Sequence, residues 1–302
     1  MFKGFFLTII LLLLITSFLY AQDQAPQESD QQINDFSLAG YAEKGKKAWE
    51  LSGKTADIFN EVVKLKDVIG NMYGEEEDVR LTADKGDFNK ADGKVRLENN
   101  VVITTSTGTK MTTDSLNWDR KNQLVTTQDK VNIQKENMTI EAYGAKGEPS
   151  LKKVALEKDV KLDILPVEKT ENPAEGLKEK ITVTCDGPLE IDYEKNIATF
   201  NNNVKVEKSD STIYSDKMDV YFTRSNKEES KESSGSQVSG SLMGSKIDKI
   251  VARGNVKVVR GENISYSDEA IYSSADRKII LNGRPKLIIY SSEELGNAPF
   301  GN

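Results

Sequence analysis

Lys110-Met111-Thr112-Thr113-Asp114-Ser115-Leu116-Asn117-Trp118, then Asp119-Arg120-Lys121-Asn122, then Gln123-Leu124-Val125-Thr126-Thr127, with Val131-Asn132-Ile133 close behind, is the stretch on which the fold turns. Apolar and polar side chains alternate on both sides of a short polar segment, the pattern of two antiparallel strands that bury one face. The polar segment is made of residues that reverse a chain. So are Asn89-Lys90-Ala91-Asp92-Gly93, Tyr193-Glu194-Lys195-Asn196 and Ser274-Ala275-Asp276-Arg277. Each predicts a β-hairpin.

The same unit recurs six times between Val79 and Glu293. Its copies open with Thr82-Ala83-Asp84, Thr112-Thr113-Asp114, Ala142-Tyr143-Gly144, Thr184-Cys185-Asp186, Tyr214-Ser215-Asp216 and Tyr266-Ser267-Asp268. They close on Asn100-Val101, Lys130-Val131, Asp159-Val160, Asn203-Val204, Asn255-Val256 and Arg284-Pro285. Asp84 and Asp114, Asp114 and Gly144, and Asp186 and Asp216 each stand 30 positions apart (114 less 84, 144 less 114, 216 less 186). That is the scale on which stacked supersecondary units repeat. A fainter copy runs from Trp49-Glu50-Leu51-Ser52-Gly53-Lys54 to Val68. A single hairpin buries too little apolar surface to stand alone, whereas stacked neighbours share a continuous interior. The expectation is an all-β chain of stacked antiparallel hairpins, with one short helix at residues 44–49.

Organisation follows from where the register breaks. Residues 1–21 begin Met1-Phe2-Lys3 and run on as almost unbroken hydrocarbon to Tyr20, which reads either as an export signal cleaved near Ala21 or as a retained membrane anchor. Both readings export the body of the chain. Residues 22–35, rich in Gln, Asp and Ser, read as a linker. Residues 36–165 form a first module and residues 181–302 a second, joined through 166–180. A Ser/Lys/Glu/Gly-rich insert at 225–245 is expected as a disordered surface loop.

Composition narrows the chemistry. The 302 residues carry a net charge of −7 and contain no histidine and one cysteine. A Ser/His/Asp or Cys/His arrangement is therefore impossible, and no catalytic residue is assigned. A lone Cys185 excludes an internal disulfide and reads as a buried structural thiol. Gly40-Tyr41-Ala42-Glu43-Lys44-Gly45-Lys46 imitates a phosphate loop, but Lys47 stands where Ser or Thr would hold magnesium. The recurring Asp84, Asp114, Asp186, Asp216 and Asp268 form a row that would suit either calcium or turn-capping at strand ends. The missing Gly-rich nonapeptide pattern favours capping, so neither a metal nor a cofactor is assigned. No lysine and arginine cluster joins an aromatic platform, which argues against nucleic acid.

What points inward is more informative. The alternation places Leu81, Val95, Leu97, Ile103, Met111, Leu116, Trp118, Ile133, Ile140, Leu156, Leu162, Ile191, Val206, Ile213, Met218, Phe222, Val258, Ile264, Ile279 and Leu281 on one face. Leu124, Val131 and Ile271 continue it. Most are medium-sized aliphatics, a composition shared by a closed core and by a groove that holds lipid chains.

Thr82-Ala83-Asp84 with Asp87-Phe88, Val95-Arg96-Leu97-Glu98-Asn99-Asn100-Val101-Val102-Ile103 and Gly108-Thr109-Lys110-Met111-Thr112-Thr113-Asp114 together resemble the periplasmic lipopolysaccharide-transport proteins LptC and LptA, the OstA-like family. The hydrophobic amino terminus followed by Trp49-Glu50-Leu51-Ser52-Gly53-Lys54-Thr55-Ala56 is similar to the LptC member. Ala252-Arg253-Gly254-Asn255-Val256 and Leu281-Asn282-Gly283-Arg284-Pro285-Lys286-Leu287 resemble LptA. The resemblance implies an incomplete β-jellyroll in two consecutive modules, in the periplasm. It also implies a non-enzymatic role in outer-membrane biogenesis. In that role the inward positions from Leu81 to Leu281 hold the acyl chains of lipid A, and edge strands dock head to tail with other copies or partners. The implied partners are an inner-membrane ABC transporter and an outer-membrane translocon. The alternative is a structural β-solenoid scaffold of the envelope that binds protein only.

Overall fold

The computed structural model describes residues 29–42, 45–74, 77–148, 153–165, 180–224, 241–242, 245–275 and 278–289. The first nine strands are β1 (Gln31–Tyr41), β2 (Lys47–Ile58), β3 (Val62–Met72), β4 (Val79–Asn89), β5 (Lys94–Thr105), β6 (Lys110–Asp119), β7 (Leu124–Lys135), β8 (Met138–Gly147) and β9 (Lys153–Ile164). The rest are β10 (Ile181–Cys185), β11 (Leu189–Asp192), β12 (Ile197–Glu207), β13 (Ser211–Arg224), β14 (Ser241–Leu242), β15 (Ser245–Arg260), β16 (Asn263–Ser273), β17 (Lys278–Asn282) and β18 (Lys286–Ile288). They form one antiparallel meander in which nearly every strand pairs with its neighbours in the chain. At the expected seam the pairing is unbroken, because β9 holds β10 and β11 end to end and β12 holds both on the other side. The meander then continues through β13, β15 and β16 to β17 and β18.

The hairpin turns obey their side chains. Asn89 accepts at Oδ1 from the amide of Ala91 at 2.8 Å, Asp119 from that of Asn122 at 2.9 Å, and Asp192 from those of Glu194 and Lys195 at 3.0 Å. A short side chain that satisfies the turn's own amides sets the reversal locally. The amide of Asn122 in turn holds the Asp119 carboxyl below the usual carboxylate range.

A column of bulges crosses the middle of the sheet. Asn99 and Asn100 both take left-handed backbone, with φ of 62° and 51°, and together stand opposite the single Asp114. Asn202 and Asn203 stand likewise opposite Asp216, and Gly254 and Asn255 opposite Asp268. Asparagine and glycine tolerate this region, and the extra residue bends the strand. The opener and closer of the repeated motif meet at these bulges. Asn100 Nδ2 donates to Asp84 Oδ2 at 2.6 Å, Asn203 Nδ2 to Asp186 Oδ2 at 2.5 Å, and Asn255 Nδ2 to Asp216 Oδ2 at 2.8 Å. Asp84, Asp114, Asp216 and Asp268 therefore lie in mid-strand and Asp186 in the short break between β10 and β11, and Asp84, Asp186 and Asp216 brace bulges instead of capping hairpin turns. Alternation marks the strand but not the bend within it.

Along the bend the inward residues are small: Ala83, Val101, Thr113, Val131, Ala142, Val160, Cys185, Val204, Ser215, Val256 and Ser267 are all buried. Beyond it, residues on both arms of the same strands share one hydrophobic cluster, as Ile140 and Leu162 do with Ala145 and Leu156. One face of a single meander is thus covered by the sheet folded over on itself along the bulge column, the incomplete jellyroll that was expected.

Several expectations change. Lys47–Trp49 lie in β2 and not in a helix, and Lys44 lies outside the described residues; among those residues there is no α-helix. Lys47 and Trp49 pair across to Tyr41 and Gly40 of β1, and that pairing outweighs local helix preference. β1 begins at Gln31, inside the stretch read as a linker. Ser241–Leu242 and Ser245 are strand, where pairing with Lys246 and Arg224 extends the β13–β15 hairpin into the insert expected to be disordered. The remainder of that insert, residues 166–179 and residues 1–28 lie outside the described residues. The imitation of a phosphate loop is the β1–β2 connection, with Gly40 paired to Trp49.

Candidate functional site

Register places the inward positions in rows that cross the whole sheet. The first row runs Leu81, Ile103, Met111, Ile133, Ile140, Leu162, Val183, Val206, Ile213 and Val258, each paired with the next. It extends backwards through Gly70, Leu51 and Leu38, and forwards through Ser265 to Leu287. On the other arm a second row pairs Leu97 with Leu116, and then Leu156, Leu189, Phe200, Met218, Ala252, Ala270 and Leu281 in order. A third joins Val95 to Trp118 and, farther on, Ile191 through Ala198, Val220, Ile250 and Tyr272 to Ile279. Phe222 lies two positions beyond Val220 on the same face, buried, its ring edge-on to Tyr193 at 6.0 Å.

Ile264 does not belong to this face. Val258 pairs with Ser265, so Ile264 pairs with Val259 and Ile288 on the opposite side. Ile271 and Leu124 also face outward, through their pairing with Val251 and Asp119. In β16 the inward positions are Ser265 and Ser267 before the bend, and the apolar residues sit on the outer phase. Alternation alone cannot tell the two phases apart.

Phe200, Leu65 and Val68 are also buried and do not stand out in the alternation. Phe200 follows Ala198 and Thr199, themselves buried, and three consecutive buried residues hide a period of two. The small residues of the bend were legible in one respect, since all but Val131 and Ala142 stand directly beside an Asn or Asp of the repeated motif.

Charge is kept to the outer face. Asp219 is buried there, accepting from Thr199 Oγ1 at 2.8 Å and from the Arg253 guanidinium, whose Nε reaches Glu269 Oε2 at 3.1 Å. Asn282 Nδ2 completes the ladder on Glu269 Oε1 at 2.9 Å. That hydrogen bond, with Arg253, holds the Glu269 carboxyl below its ordinary range. A shallow cup of about 520 Å³ also lies on the outer face, lined by Asp87, Lys94, Arg96, Asn117 and Thr126 among others. Cys185 lies in the bend with its thiol pushed upward by burial, a poor nucleophile. The inner face is therefore an apolar surface lined mainly by aliphatic side chains, and covering its exposed parts removes hydrocarbon from water at about 25 cal/mol per Å².

The described residues end in two sheet edges. On β1, Ile33 and Leu38 are exposed, and at the far edge Ile279 and Leu287 are exposed, 61% and 59% respectively. A family model described as lipopolysaccharide-assembly, LptC-related, matches residues 5–164, and one described as LptA/(LptD N-terminal domain) LPS transport protein matches residues 187–297. No curated protein matches the chain.

Proposed function

Because the chain belongs to the LptC-related lipopolysaccharide-assembly family and carries an LptA-type region after it, we propose that it is a non-enzymatic periplasmic carrier that holds lipid A acyl chains against its inner face and bridges toward the outer membrane. Both families are lipopolysaccharide-transport families. The observation that carries the finer reading is the apolar row from Leu38 to Leu287, inward on every full-length strand it crosses and interrupted only by Gly70 and Ser265. Hydrocarbon laid on that row leaves water, while sugars and phosphates stay outside the folded sheet. No bond is broken, so directional work comes from an ATP-driven partner in the inner membrane.

The edges supply the docking. An exposed edge strand presents unpaired amides and carbonyls and is stabilised by pairing with another strand. β1 at one end and β17 with β18 at the other would join neighbouring jellyrolls head to tail, continuing the inner row across the junction. The apolar run before residue 21 exports the body of the chain; the LptC match begins at residue 5 and includes it.

A photo-crosslinking amino acid at Leu81 or Val258 should trap lipopolysaccharide in cells, and one at the outward Arg96 should not. Adducts at Arg96 with none at the inward positions would sink the carrier reading.

A further inference from the structure

Accepting the carrier reading, we propose that the inner face is divided into two acyl-chain sites by a sealed junction, in place of one open trough. The first site lies over β2–β6 and the second over β15–β18. The junction runs from β7 to β10 along the first row and on to β13 along the facing arm, where the two matched regions meet.

Exposure along the rows carries this. In the first row Ile140 and Leu162 are each 1% exposed, with Ile133 and Val183 also buried, and the row opens again at Val206 and Ile213, which are partly buried. On the facing arm Leu156, Leu189 and Phe200 are just as deeply covered, and so are Ile191, Ala198 and Val220. Before the junction, Leu51, Leu81, Val95 and Ile103 are only partly buried, while Leu97 and Leu116 of the second row form a covered floor beneath them. After it Val258, Ile250 and Ala270 are partly buried, and Ile279 is mostly exposed. The core divides in the same way. One cluster holds Phe36 to Leu116 and is fringed by half-open aliphatics, and a second begins at Val131.

The physical consequence follows from close packing. A side chain sealed on all sides has its dispersion contacts filled, so a fatty chain entering there must first displace them. At either end the aliphatic surface is still partly wet, and covering it releases free energy without breaking any contact. Acyl chains therefore settle at the two ends, and passage between them requires the arms to part at Ile140, Leu162 and Leu156.

The test uses the full chain, purified, with purified lipopolysaccharide and no other component. A photo-crosslinker at Leu81 and one at Val258 should each yield lipid adducts, and one at Leu162 should yield no more than the outward Arg96. Adducts at Leu162 equal to those at Leu81 would overturn the division and leave the carrier reading standing. No adducts at any inward position would overturn both. Because a bulky residue at Leu162 can itself pry the arms apart, a second arm leaves the junction untouched. Leu81→Glu should leave crosslinking from Val258 unchanged, and Val258→Glu should leave crosslinking from Leu81 unchanged. If either charge suppresses labelling at the far end, the two sites are one.

Discussion

At the level of single residues, the fold depends on hydrogen bonds that the motif hides by spacing its partners far apart. Asp216 and Asn255 are 39 positions apart and 2.8 Å from one another. Gly254 beside them has φ of +75°, and a Cβ there would fall 2.3 Å from Asp216 Oδ2. Gly254→Ala should therefore cost about 1–3 kcal/mol, the usual range for a non-glycine residue held in that backbone region. Asp216→Ala alone should cost about 0.5–1.5 kcal/mol for the lost hydrogen bond. The double variant should cost less than the two together, because removing the carboxylate relieves the clash and leaves only the backbone strain. Urea unfolding of the four proteins measures this, and simple additivity would mean that the carboxylate and the missing Cβ do not compete for space.

The strand is the level at which phase matters. Leu162 and Ile264 look alike in sequence, each an aliphatic residue in an alternating strand. Leu162 is inward and 1% exposed, whereas Ile264 faces out between Val259 and Ile288. Leu162→Ala should lose about 2–5 kcal/mol, since the cavity it leaves is walled by both arms. Ile264→Ala should lose about 1 kcal/mol or less, as for a partly exposed surface position. Equal losses in thermal or urea denaturation would show that β16 is paired one residue out of step with this register.

In the whole molecule, covalent continuity replaces a junction between subunits. The larger cluster takes Val131 to Ile164 from before the 166–180 connection and Val183 to Val256 from after it. Expressed alone, residues 180–302 should lack the sharp urea transition of the full chain, because β10, β11 and β12 lose the strand and side chains of β9. Adding residues 29–165 should restore it. A fragment that unfolds cooperatively by itself, at the midpoint of the whole chain, would show that the two halves are independent.

The repeat and its alternation settled by themselves that this chain is all β, where its hairpins turn and which residue types line its interior, because period two and turn chemistry act over a few neighbours. The absence of histidine likewise limits its chemistry from composition alone. Only the tertiary structure decided that Asp84 and Asn100 form one brace at a bend, that Ile264 faces outward, and that the interior is tight at Leu162 but loose at Leu81. Those outcomes depend on register between strands and on how closely two arms of a folded sheet approach. Both are set by contacts between residues far apart in the chain, which no local pattern encodes.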